Sequence, residues 1–375
     1  MGQGQRLGAK RQGSRVASAR AFAQVRRPSA QSLLDGKNLS TPREDGFAMV
    51  PDWVPHARCW MAWPCREASW GGGLDEARRT FAEIAQAIAR FEPVTVIARP
   101  ELVAMASLYC GAGISTVGLP HDDGWVRDVG PCFLKGPQGV AGVTFAFNGW
   151  GELHPDYAQD ADLGRRLLEH AGIRRYACGM VLEPGAVQVD GEGTCLASSG
   201  TLLDPKRNPG LSMAEAEAEL RRQLGVDQVI WLDAGLVDEE GGGHVENVAI
   251  FARPGLVLAL TAQDPADAAH AGLAANLDRL RATVDARGRT LEVVAIPQPK
   301  ARPRHDGSRL PLTHLNCYLA NGAVIMPSFG GATDKAAAKA FAAAWPDREI
   351  VPLDALDLVQ GGGGIHGITL GQPTP

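Results

Sequence analysis

No CxxC pair, no apolar run approaching the roughly 18 residues of a membrane-spanning helix, and no surplus of basic residues occur in this 375-residue chain. Each absence excludes a class of protein. The seven cysteines (Cys59, Cys65, Cys110, Cys132, Cys178, Cys195 and Cys317) are odd in number and scattered, so a zinc ribbon, a redox pair and a disulfide framework are all unsupported. A reducing, cytoplasmic location fits best. The formal net charge of -5 carries no electrostatic footprint for nucleic acid or for an anionic bilayer, which leaves small molecules as the natural partners. Homo-oligomer formation stays open.

What the chain does have is 45% hydrophobic residues, enough at this length for a large core. Residues 1 to 43 differ in kind. They are rich in Arg, Lys, Gln, Ser and Ala, with no acid before Asp35 and no hydrophobic segment of signal-peptide length. An organellar presequence, an upstream start codon and a disordered tail all fit; the basic extension is expected to be disordered, with residues 44 to 375 as a single catalytic domain.

From Asp45 onward, helix signals alternate with strand signals. Leu74, Ala77, Phe81, Ile84, Ile88 and Phe91 fall at helical spacing, as do Leu273, Leu277, Leu280 and Val284. Ser212 followed by Glu215 reads as a capping box, with Gly225 as the helix stop. Lys335 to Trp345 makes another helix, and residues 161 to 170 a weaker one. Short apolar strands follow: VTVIA at 94, VIWL at 229, LEVVAI at 291 and EIVPL at 349. Before the helices come hairpins turned on Asp190-Gly191, Pro254-Gly255 and Asn321-Gly322, with a longer one from 131. The unit is hairpin, helix, strand, recurring about every 60 residues or somewhat more. The expected fold class is α/β, and such units pack against neighbours and can close into a ring.

A ring has a centre, and polar groups unsuited to a plain core stand just before each hairpin. His121-Asp122-Asp123-Gly124-Trp125-Val126-Arg127-Asp128 is one cluster, and Leu182-Glu183-Pro184-Gly185 the next. The third runs from Asp238 through His244, Val245, Glu246 and Asn247, and the fourth is Gly361-Gly362-Gly363-Gly364-Ile365-His366-Gly367. The four glycines are not a P-loop, because no Lys-Ser/Thr and no helix follow before Pro375. His244 and Glu246 could supply two metal ligands, but no comparable set completes them, so no metal and no other cofactor is expected. Carboxylates with a histidine suit a planar cation. Two carboxylates can grip a guanidinium bidentately, and its carbon becomes attackable once held and desolvated. Attack then needs a thiolate and a histidine to move protons.

HDDGWVRDVGP, VQVDGEGT, GGGHVEN, LANGAVIMPSFG and GGGGIHG, in this order, resemble the agmatine deiminase family of the guanidine-modifying penteins, which also include bacterial peptidylarginine deiminases. TPREDGFAMVPDW and WMAWP match the family's N-terminal pattern, so the resemblance spans about residues 41 to 373. It implies a pentein-type α/β propeller of five pseudo-symmetric units around a central site. It also implies a hydrolase that converts agmatine to N-carbamoylputrescine and ammonia through a cysteine thioether. By position, Asp128 corresponds to a guanidinium-binding carboxylate, His244 to the general acid and base, Trp125 to a channel wall and Glu183 to a Glu near the substrate. Glu246 stands at the second guanidinium-binding Asp.

The family's nucleophilic cysteine falls at Gly367. Natural loss, an engineered change and a sequencing error would each leave glycine there; the chain as written is expected to be inactive or strongly impaired. Glu246 is one methylene longer than Asp, Pro184 replaces a glycine, and Gly242 stands where family members carry a polar residue. A non-catalytic guanidine- or polyamine-binding homologue and an arginine or peptidylarginine deiminase are the alternatives. A carboxylate placed for a distal ammonium, for which Asp122 and Asp123 are candidates, would favour agmatine. An extra arginine reading a substrate carboxylate would favour free arginine.

Overall fold

The computed structural model describes Met1, residues 40–304 and residues 307–375. Most of the expected basic extension, residues 2 to 39, lies outside the described residues. Its last residues are described and packed. Thr41 donates its backbone N–H to Glu44, and Arg43 bonds the Val226 carbonyl and the Asp227 carboxylate.

The chain begins with β1 (Ala48–Met49), β2 (His56–Ala62), α1 (Leu74–Ala89), β3 (Val94–Ala98), α2 (Val103–Cys110) and β4 (Ser115–Gly118). Three repeats of one unit follow: β5 (Cys132–Gly136), β6 (Gly139–Ala146), α3 (Asp160–Ala171) and β7 (Arg174–Val181); β8 (Val187–Val189), β9 (Thr194–Ser198), α4 (Met213–Leu224) and β10 (Gln228–Leu232); then β11 (Ala249–Arg253), β12 (Leu256–Thr261), α5 (His270–Ala282) and β13 (Glu292–Pro297). A fourth comprises β14 (Tyr318–Ala320), β15 (Ala323–Ser328), α6 (Ala332–Ala344) and β16 (Glu349–Asp354), and β17 (Thr369–Pro373) ends the chain. In each repeat the hairpin is antiparallel and the third strand, reached through the helix, lies parallel to the second.

The fifth sheet is assembled from both ends of the chain. β17 pairs antiparallel with β2, Thr369 opposite Met61, and β2 runs parallel to β3 as β3 does to β4. TLGQP carries neither alternation nor β-branched density, so its strand was not legible locally. It forms because β2 offers an edge.

The expected helices form, with ends decided by capping. Ser212 and Glu215 make the reciprocal capping box of α4, and Gly225 closes it in a left-handed conformation. Helix α5 stops at Ala282, two residues short of the stripe's end: Thr283 is extended and Val284 is exposed, bridged to Thr290. Phe91 likewise falls just beyond α1. At the β14–β15 turn Gly322 has φ +85°, a region that a side chain would make strained. Helix α1 buries Ile84 and Ile88 among Val94 and Val96 of the fifth sheet and Ile325 and Val351 of the fourth, joining two units through one apolar cluster.

Candidate active site

The segments that lead into the first strand of all five sheets meet, and they meet through polar side chains. Asp128, before β5, accepts from Trp150 Nε1 at 2.9 Å through one carboxylate oxygen. Its other oxygen, Oδ1, is buried without a hydrogen-bond partner among the described residues and lies 3.6 Å from His244 Nδ1. His244, before β11, has its Nε2 3.5 Å from Glu183 Oε2, beyond good hydrogen-bond length. Glu183, before β8, is wholly buried and held by Arg207 Nε at 2.9 and 3.0 Å.

Glu246 is gripped from two further units. Asn316 Nδ2, before β14, donates to Oε1 at 2.9 Å, and His366 Nδ1, before β17, makes a short contact with Oε2. His366 Nε2 in turn reaches Asp52 Oδ2 at 2.9 Å. Gly185 separates the two acids: a Cβ there would lie 2.8 Å from both Asp128 Oδ1 and Glu246 Oε2.

The electrostatics follow from this wiring. Burial, reinforced by the negative Glu246, pushes the Asp128 carboxyl up to about 6 despite the neighbouring His244. Burial opposes the charge on His244, but Asp128, Glu183 and Glu246 outweigh it and raise the imidazole to about 10. Glu246 goes the other way. Burial would raise it, yet His366 and His244 hold it below the ordinary range.

A cavity opens over these groups, lined by Trp125, Asp128, Trp150, His244, Glu246 and Gly367 among others. Trp125 stacks on Trp70 with centroids 5.5 Å apart. The glycine run explains itself by contact. A Cβ at Gly363 would lie 2.4 Å from the Trp125 ring, and one at Gly364 2.5 Å from Asn316 Oδ1, so only bare backbone passes between them. Gly367 is different. Its φ is ordinary, and a Cβ would meet Trp125 at 3.3 Å and the Gly364 carbonyl at 3.4 Å, so a side chain fits with a slight shift of the ring.

Of the residues singled out in the sequence, Asp128, Glu183, His244, Glu246, Trp125 and Gly367 come together. Asp122 and Asp123 do not join them. Asp122 accepts from the Gln159 and Asp160 backbone at the start of α3, at 2.8 and 3.1 Å, and Asp123 accepts from the Cys65 and Arg66 N–H groups and from Trp70 Nε1. They are tethers because the chain turns away between them and Asp128. Pro184 sits at the first position of a one-turn helix, where a fixed φ and a missing N–H cost little. At Gly242 (φ +83°) a side chain would press on Arg207 Nη1 at 3.2 Å.

The sequence reading missed Asn316, Trp150 and Asp52, and gave no role to Glu239 and Glu240 inside the third cluster, which line the cavity. Asn316 was recoverable, since it stands at the pre-hairpin position of the fourth unit, where the repeat calls for a polar group. Trp150 was not. It reaches Asp128 from a loop where both Trp150 (φ 56°) and Glu152 (φ 68°) are left-handed, and such conformations in non-glycine residues concentrate at functional sites.

The family model for Porphyromonas-type peptidyl-arginine deiminase matches residues 48–373. Agmatine deiminase of Stutzerimonas stutzeri (strain A1501) is 40% identical over 363 residues, covering 90% of this chain and 98% of that protein. Agmatine deiminase of Pseudomonas aeruginosa (strain LESB58) is 39% identical over 360 residues, with the same coverages of 90% and 98%. Among solved structures, agmatine deiminase of Enterococcus faecalis superposes with a TM-score of 0.85 at 31% identity, covering 89% of this chain and 98% of that one. Fold and comparisons thus place the chain among the penteins. The chain belongs to the agmatine deiminase family.

Proposed function

We propose that this cavity is the guanidinium site of an agmatine deiminase-type hydrolase, and that the chain with Gly367 binds guanidines but hardly turns them over. The observation that carries the binding half is Asp128 Oδ1, a buried carboxylate oxygen with no hydrogen-bond partner among the described residues, facing the cavity beside His244. An unpaired buried acceptor is costly, and a guanidinium N–H would complete it. The site draws on all five sheets, which supports reading residues 44 to 375 as one catalytic domain.

In the family-type reaction a thiolate adds to the guanidinium carbon, the C–N bond breaks, and the departing nitrogen leaves as ammonia with a proton from His244. Water then attacks the amidino-thioether carbon, giving up its proton to His244, and expels the thiolate to leave a ureido product; from agmatine this is N-carbamoylputrescine. Here Gly367 offers no sulfur. None of the seven cysteines lines the cavity among the described residues, and the nearest in sequence, Cys317, is buried with its thiol pushed upward by that burial. Loss of a nucleophile from a set that acts together costs on the order of a millionfold in turnover. The seven unpaired thiols fit a reducing cytoplasm.

The test is Gly367→Cys, which the local space admits. Ureido product from agmatine should be near background for the chain as it stands and rise by about 10^5-fold or more with the cysteine, while calorimetry reads agmatine binding to both. Activity in neither form, with no binding, would end this reading. Binding without turnover in either would favour the alternative, a guanidine-binding homologue.

A further inference from the structure

The cavity over Asp128 shares Leu153, His154, Glu240 and Gly361 with a second, larger hollow that continues past it. Arg304 lines that hollow, its side chain only 10% exposed. One of its nitrogens, Nη1, is ion-paired with Glu240. The other two, Nε and Nη2, are buried with no hydrogen-bond partner among the described residues. Buried donors on a permanently charged group are costly to leave unmade, and these two belong to a side chain that lines a hollow able to admit a partner.

The guanidinium is held where it is. Arg304 N–H bonds the Ser308 carbonyl at 2.6 Å and Leu310 N–H the Arg302 carbonyl at 2.9 Å, so the backbone at Arg302 and Arg304 is tied to that at Leu310 and Ser308. Arg309 is anchored in turn, through its backbone to Asp238 at 2.9 Å and through its fork to Asp267 at 2.7 and 3.0 Å. Gly362 faces the Arg304–Glu240 pair. A Cβ there would lie 3.4 Å from Glu240 Oε2 and 4.0 Å from Arg304 Nη2, so the glycine run leaves the pair open on that side.

Resting on the guanidinium reading of the first cavity, we infer that Arg304 reads an anionic far end, so that the preferred ligand class is a guanidine carrying a distal carboxylate. Nε and Nη2 form one edge of the guanidinium, the geometry that takes a carboxylate by two parallel hydrogen bonds. Glu240 beside it suits an ammonium on the same ligand. A guanidine with only an ammonium at its far end satisfies Glu240 but leaves Arg304 unmet and repelling.

Calorimetry on the full chain with agmatine, 4-guanidinobutanoate and arginine tests this. Both carboxylates should bind about tenfold or more tighter than agmatine, and Arg304→Met should remove that margin without moving the thermal midpoint appreciably. Arg304→Lys, which keeps the charge and loses the fork, should retain part of the margin. Glu240→Gln should weaken agmatine and arginine and spare 4-guanidinobutanoate. The inference is overturned if guanidines bind, lose that binding in Asp128→Asn, and yet show no preference for a carboxylate or one that Arg304→Met leaves unchanged. Absence of binding by all three guanidines would instead overturn the guanidinium reading, and this inference with it.

Discussion

Two carboxylates on either side of Gly185 have been treated in opposite ways. Asp128 has one oxygen on an indole N–H and the other free, and its pKa is raised; Glu246 has both oxygens committed to Asn316 and His366, and its pKa is lowered. Their chemistry is the same. The wiring is not. An acid whose bonding capacity is spent on neighbours holds the fold together, and one left short of a partner is set to meet a ligand.

That contrast can be broken by substitution. Asp128→Asn should cost guanidine affinity about a hundredfold, because a buried charge partner is lost, while thermal stability stays level or rises, since the fold already opposes ionisation there. Glu246→Gln should reverse the pattern. Removing one partner of a buried pair costs roughly 3 kcal/mol, read as a lower thermal midpoint, with an effect on affinity of about tenfold or less. Equal losses of affinity in the two variants would erase the distinction.

Titration sharpens the same contrast. Asp128 takes up a proton as the pH falls through about 6, so guanidine affinity should drop there, and the inflection should vanish in Asp128→Asn. Glu246, held low, contributes none at that pH. Between about 6 and 10 His244 is charged, and an arriving guanidinium favours expelling its proton. Binding should therefore release protons in that window, strengthening as pH rises, which calorimetry in buffers of different ionisation enthalpy measures.

The smallest effect belongs to an acid outside the pocket. Asp122→Ala should cost about 1 kcal/mol through the lost cap on α3, seen in the thermal midpoint, and leave guanidine affinity unchanged.

Much of the architecture was legible locally. Hairpins written as Asp-Gly, Pro-Gly and Asn-Gly, apolar stripes at helical spacing and the Ser212–Glu215 cap each depend on residues within a few positions of one another, and each appears where its pattern lies. The closing strand β17 was not, because its partner β2 is some three hundred residues away along the chain. The site divides in the same way. Asp128, Glu183, His244, Glu246 and Gly367 stood at a recurring place before each hairpin, whereas Trp150 and Arg304 reach the cavities, and Asp52 reaches His366, from loops with no such marker. Asp122 and Asp123 shared Asp128's motif and still face elsewhere.

Residue order alone determined the repeating unit, the acids and histidine it presents at its entry, and the absence of a side chain at position 367, since all three are properties of neighbouring residues. Only the tertiary structure decided which acid is spent on its neighbours and which keeps an oxygen without a partner among the described residues, and that Arg304 lines the adjoining hollow. A carboxylate's pKa and its open valences are set by the groups packed around it, and those come from other sheets.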